Sequence, residues 1–174
     1  MKKQMNVDKI KFKQASETEL LQEKYVATSI KHTDSVKKKN FEALYIHNKY
    51  SFQSEYTSAH VDARKGQYDF YAYYLQGSYF ILGDGRKYKT GTATLSKVKP
   101  NRDGDIELAF RYSYIDLIDK DELGGTQSDC NYGLNWYINN ELKLMLNYIV
   151  AEPKNTATYN GRLQILQARA LFAF

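Results

Sequence analysis

The stretch Tyr132-Gly133-Leu134-Asn135-Trp136-Tyr137-Ile138-Asn139-Asn140-Glu141-Leu142-Lys143-Leu144-Met145-Leu146-Asn147-Tyr148-Ile149-Val150 decides the fold class, because its apolar residues recur at every second position. Tyr132, Leu134, Trp136 and Ile138 make one series and Leu142, Leu144, Leu146, Tyr148 and Val150 the next, with Asn135, Lys143 and Asn147 between. Successive side chains of a strand point to opposite faces, so each series is one face of a β-strand. Asn139 and Asn140 leave room only for a tight hairpin turn, whose positive φ asparagine tolerates.

The alternation continues in both directions. Upstream it runs through Phe41, Ala43, Tyr45 and His47; Tyr50, Phe52, Ser54 and Tyr56; Tyr71, Tyr73, Leu75, Gly77, Tyr79 and Ile81; and Ile106, Leu108, Phe110, Tyr112 and Tyr114. Downstream it closes with Leu166, Ala168, Ala170, Phe172 and Phe174. The expected fold is all-β, an antiparallel up-and-down meander of seven or eight strands. Composition agrees: the 174 residues include 16 Tyr, 8 Phe and 1 Trp but only 2 Pro, a profile that favours strands. Apolar residues make up 43% of the chain, which excludes intrinsic disorder. The mean hydropathy is −0.63, and no uncharged run is long enough for a membrane-spanning helix.

Residues 1–40 differ, being rich in Lys, Gln, Glu, Thr and Ser, with the run Lys37-Lys38-Lys39. They are expected to be polar loop or short helix with a strand remnant, and 41–174 to be the barrel part. Lys11, Lys13, Glu17 and Glu19 interrupt any apolar core after the basic N-terminus, so no export signal is expected in the chain as written. Short turns are expected at His47-Asn48-Lys49-Tyr50 and Ile138-Asn139-Asn140-Glu141, and longer polar links at 62–69, 119–129 and 152–161. The long link 83–105 should lie at the short-turn end.

Alternating strand direction sorts the aromatic residues by level. Tyr71, Tyr73, Tyr112, Tyr114, Tyr132 and Tyr148 fall near the long-loop end; Tyr45, Tyr50, Phe52, Tyr79, Trp136, Phe172 and Phe174 fall near the other. Leu75, Leu108, Leu134, Leu144, Leu146, Ala168 and Ala170 lie between, with Phe110 a minor exception. Two aromatic belts around an aliphatic band describe the outer wall of a transmembrane β-barrel. The opposite face carries Ser51, Gln53, Glu55, Glu107, Arg111, Asn131, Asn135, Lys143, Asn147, Gln167 and Arg169, groups that cannot face lipid cheaply and so belong to a wet lumen. The competing reading is a soluble β-sandwich ligand-binding module, in which aromatic residues would show no order along the strands.

Laid out in this way, Gly104-Asp105-Ile106-Glu107-Leu108-Ala109-Phe110-Arg111-Tyr112-Ser113-Tyr114-Ile115-Asp116-Leu117 and Gly133-Leu134-Asn135-Trp136-Tyr137-Ile138-Asn139 resemble strands of the phosphate-selective O and P type outer-membrane porins of Gram-negative bacteria. Phe52-Gln53-Ser54-Glu55-Tyr56, Tyr79-Phe80-Ile81-Leu82-Gly83, Val98-Lys99-Pro100 and the closing Phe172-Ala173-Phe174 are similar to the family as well. The resemblance implies an outer-membrane location, contact with outer-membrane lipid, passage of phosphate or other small anions through a basic lumen, a sixteen-stranded homotrimer, and uptake by the barrel-insertion machinery through Phe174. It covers only the C-terminal half of such a barrel, so a truncated fragment that does not conduct alone is expected.

Arg111, Lys143 and Arg169 are the candidate anion-contacting residues, since guanidinium and ammonium groups replace part of an anion's hydration; Glu55 and Glu107 on the same face dilute their field. The plainer reading is charge pairing on a pore wall. Tyr71, Tyr73, Tyr112, Tyr114, Tyr132, Trp136, Tyr148, Phe172 and Phe174 are the candidate membrane-interface residues. Arg86, Lys87, Lys89, Lys97, Lys99 and Arg102 make the long link cationic. His32, His47 and His60 lack metal-ligand spacing, Gly83-Asp84-Gly85 lacks the remainder of a P-loop, and no nucleophile elbow occurs. No enzyme, cofactor or nucleic-acid partner is expected.

Overall fold

A computed structural model of the chain describes residues 7–15, 24–91 and 94–173. It holds ten strands: β1 (Val7–Gln14), β2 (Val26–His47), β3 (Tyr50–Ala63), β4 (Gly66–Leu82), β5 (Tyr88–Lys89), β6 (Thr94–Leu95), β7 (Asp105–Asp119), β8 (Glu122–Tyr137), β9 (Leu142–Lys154) and β10 (Leu163–Phe172). Eight form one sheet in the order β1-β2-β3-β4-β7-β8-β9-β10, every neighbouring pair antiparallel. This is an up-and-down meander, and β5 with β6 is a small ribbon inside the link between β4 and β7.

Register assigns the faces. Tyr50, Tyr79, Leu108, Leu134, Leu146 and Ala168 lie side by side in one row, and Ser51, Ser78, Ala109, Gly133, Asn147 and Gln167 in the row one residue on. A slip of one residue would exchange the two sets. The sheet curls until the early part of β2 meets β8, where the Thr28 hydroxyl donates to Glu122 at 2.5 Å. Leu134, Leu144 and Leu146 stand exposed on the convex side, whereas Arg111, Asn135 and Lys143 belong to the concave side. Leu144 and Arg111 therefore do not share a closed core, and the sheet is a curled half-barrel, not a sandwich.

Two apolar clusters occupy the concave side. Val26, Ile30, Val61, Tyr68, Phe70 and Leu117 pack where β2 crosses over, with Ile10 and Phe12 against them. At the opposite end Phe80, Val98 and Tyr137 form a smaller one. The concave face thus carries an apolar cluster near each end, the smaller one beside the charged Arg86, Glu107 and Lys143.

Several expectations need correction. The segments 62–69 and 119–129 are not loops: two-residue turns at Arg64-Lys65 and Lys120-Asp121 join strands of 14 to 17 residues. Around 62–69 the polar Asp62, Gln67 and Asp69 lie on the convex face while Val61, Tyr68 and Phe70 fill the other; in 119–129 the polar Gln127 and Asp129 are buried on the concave side. Of the three links expected there, 155–162 is the one that remains a loop among the described residues. Within 1–40, where loop or short helix is expected, residues 26–40 belong to β2, and β1 is the strand remnant. Lys37 and Lys39 alternate with Lys38, whose ammonium lies over the Phe12 ring at 5.8 Å. The weak helical pattern at 17–21 lies outside the described residues.

The short turns stand at the expected positions, but neither Asn139 nor Asn140 takes the positive φ expected of the second one. Asn48 takes φ 49° between β2 and β3, and the Asn139 side-chain oxygen accepts from the Glu141 and Leu142 amides at 2.8 and 2.7 Å between β8 and β9. The 83–104 link shares that end of the sheet.

Candidate functional site

The concave face offers charge at two levels. Arg111 sits on β7 beside Gln76 of β4 and Asn131 of β8. Its guanidinium covers the Tyr74 ring at 3.9 Å and donates to the Gln76 side-chain oxygen at 3.1 Å. A cavity of about 240 Å³ opens here, lined by Glu55, Tyr74, Arg111, Ser113, Gln127 and Asp129 among others. Asp129 is buried, and both its oxygens accept from the Gln127 amide at 2.9 Å. Glu55, expected to dilute the field, is joined here by Asp129, a carboxylate at the end of the 119–129 stretch expected to be a polar link and so not foreseen on this face.

Lys143 and Arg169 belong to the lower level, toward the short turns. Lys143 holds its ammonium 4.6 Å from the Tyr137 ring centre, and the charges of Glu107, Arg86 and Arg169 act on it. Of the three expected cations the structure gathers Lys143 and Arg169 and leaves Arg111 on a separate row. The fourth member, Arg86, was legible only as one of many basic residues in the long link. It reaches the wall from that link: Nε donates to Glu107 Oε1 at 3.0 Å and Nη2 to Oε2 at 2.9 Å. Tyr137 donates its hydroxyl to Glu107 Oε2 at 2.7 Å and accepts from Arg86 Nη2 at 2.8 Å, and Asn135 donates to the same carboxylate at 3.0 Å. Burial works against the Arg86 charge, yet the Glu107 carboxylate holds its pKa above the ordinary guanidinium value.

The convex face carries the aromatic side chains. Tyr73 lies between Tyr112 and Tyr114, with ring centres 6.2 and 5.6 Å away, and Tyr71 meets Tyr114 at 6.0 Å. Tyr132 and Tyr148 lie side by side at 6.4 Å. Trp136 and Phe172 are exposed toward the short-turn end, where Tyr50 and Tyr79 stack at 4.7 Å. Phe174 lies outside the described residues. Leu108, Leu134, Leu144 and Leu146, all exposed, fill the interval.

The remaining motifs do other work. His60 Nδ1 donates to Asp69 Oδ1 at 2.7 Å on the convex side, and no group of three or more His, Cys, Asp or Glu suited to a metal occurs among the described residues. No described helix is long and apolar enough to cross a membrane, a statement that does not bear on strands.

The family model for phosphate-selective porin O and P matches residues 3–174. Porin O of Pseudomonas aeruginosa is 32% identical over an aligned length of 126 residues, with 64% of this chain and 29% of that protein covered. An uncharacterized protein of Caulobacter vibrioides is 33% identical over an aligned length of 85 residues, with 45% of this chain and 17% of that protein covered. The matched part thus spans less than a third of either relative. The chain belongs to the phosphate-selective porin O and P family.

Proposed function

We propose that the chain forms part of the wall of an outer-membrane pore through which phosphate or other small anions diffuse, with Arg111, Lys143 and Arg169 as the cations the solute meets. The observation that carries this reading is the division of one sheet into an exposed aromatic-and-aliphatic convex face and a polar concave face, where Arg111 lines a cavity and Lys143 and Arg169 stand nearer the short turns. Diffusion needs no bond made or broken. The wall has only to replace hydration water with charge-assisted hydrogen bonds weak enough to release the ion. Unit charges about 4 Å apart attract by roughly 4 kcal/mol at an effective dielectric near 20, so one nearby cation offsets part of an anion's desolvation without trapping it. Glu55 and Asp129 beside Arg111 moderate that attraction.

In this reading Tyr71, Tyr73, Tyr112, Tyr114, Tyr132 and Tyr148 form one headgroup-level belt, with Trp136, Phe172 and Phe174 in the other; Phe174 also serves recognition by the insertion machinery, and full barrels associate as homotrimers. The test is planar-bilayer current in phosphate and in chloride, recorded for the chain refolded into lipid, alone and mixed with an N-terminal porin half. Anion-selective channels whose selectivity falls when Arg111, Lys143 and Arg169 are replaced by Gln support the reading. Channels indifferent to all three substitutions refute it.

A further inference from the structure

A pore wall that favours anions has little use for a carboxylate, yet Glu107 stands on the concave face with only 1% of its surface exposed. A buried charge is tolerated where partners surround it. Here the principal partner comes from outside the wall, because Arg86 belongs to the 83–104 link. Two glycines send that link inward. At Gly83 (φ +102°) a Cβ would meet the Asp105 carboxyl carbon at 2.3 Å, and at Gly85 (φ +86°) it would meet the Asn48 carbonyl oxygen at 2.2 Å. The link then crosses the sheet's end. It touches the β2–β3 turn at Gly85, pairs with Glu107 through Arg86, buries Val98 against Phe80 and Tyr137, and reaches the β8–β9 turn where Lys97 donates to the Asn140 carbonyl at 3.4 Å. The β5–β6 ribbon stiffens its middle, with the Ser96 amide on the Lys87 carbonyl at 2.7 Å.

We propose that Glu107 is a positioning residue: it latches this link across the mouth of the lumen through Arg86 and thereby sets the size of solute that passes. The consequence for solutes rests on the pore reading given above; the latch itself does not. An apolar contact at Val98 cannot fix the link's position alone, since apolar contacts lack direction, whereas the two parallel N–H···O bonds of the Arg86–Glu107 pair are directional.

The latch is tested in the chain refolded in detergent with Cys130→Ser and Val98→Cys, by the rate of maleimide labelling at position 98. Labelling should be slow with Glu107 and Arg86 intact and about ten-fold faster in Glu107→Gln and in Arg86→Gln, as local opening frees the link. Arg86 lies outside the sheet, so its variant keeps the test valid where Glu107→Gln fails to fold. The exchanged pair Arg86→Glu with Glu107→Arg should restore slow labelling. Equal rates in all variants would overturn the latch. In a conducting barrel the two single variants should admit larger polyethylene glycols; altered ion selectivity with an unchanged polymer limit would mean that Glu107 is a wall charge only. Absence of any channel would count against the pore reading, with the latch still decided by the labelling.

Discussion

Leu134 and Lys143 illustrate how one position along a strand changes what a side chain must tolerate. Leu134 is exposed on the convex band and Lys143 half-buried on the concave face. Leu134→Arg should cost about 2–4 kcal/mol in lipid, the penalty of a charge near the bilayer midplane. Lys143→Gln forfeits the Tyr137 ring contact, worth about 0.5–2 kcal/mol, and leaves the strands in place. Denaturant titration of the two variants in lipid vesicles checks the contrast, and equal costs would place both residues in the same environment. These faces were legible in the sequence because period two is a local property of the chain. Arg86 was not. Its direction depends on Gly83 and Gly85 turning the link against Asn48 and Asp105, contacts between distant segments that no periodicity encodes.

At the scale of elements the same limit explains the misread loops. Tyr68, Phe70 and Leu117 are buried beneath polar neighbours, and a segment polar on one face resembles a loop until its partner strand is known. The hairpins are therefore expected to protect their amides: hydrogen exchange at 61–70 and 115–119 should be slow, while 155–162 exchanges fast. Rapid exchange throughout would restore the loop reading. The link makes a second prediction. Gly85→Ala drives a Cβ against the Asn48 carbonyl at a φ that costs L-residues roughly 1–2 kcal/mol, so it should speed labelling at Val98→Cys as the latch variants do. Circular dichroism should show the strands unchanged.

For the whole molecule, strand count constrains what can complete the wall. Among the described residues β1 pairs with 26–33 of β2, so the described edges of the sheet beyond that point are 35–47 of β2 on one side and β10 on the other. From β2 through β3, β4, β7, β8 and β9 to β10 the direction alternates, so β2 and β10 run the same way. Edge-to-edge joining of two copies would set β10 parallel to β2, and an all-antiparallel closure needs an odd number of added strands. Unpaired edges do not persist in hydrocarbon. In the chain alone, alternate amides of 35–47 and of β10 should exchange far faster than those of β7 and β8, and complementary strands should abolish the difference.

The account rests on the convex face meeting lipid, and the chain carries one native reporter of it, since Trp136 is its single tryptophan. Trp136 is 45% exposed on that face at the short-turn end. The direct measurement is its fluorescence after refolding into vesicles whose lipids bear nitroxide quenchers at defined depths. Strong quenching by labels near the headgroup, weaker quenching by labels at the bilayer centre, and little effect of aqueous iodide are the predicted result. Full quenching by iodide with no response to any lipid label would contradict it.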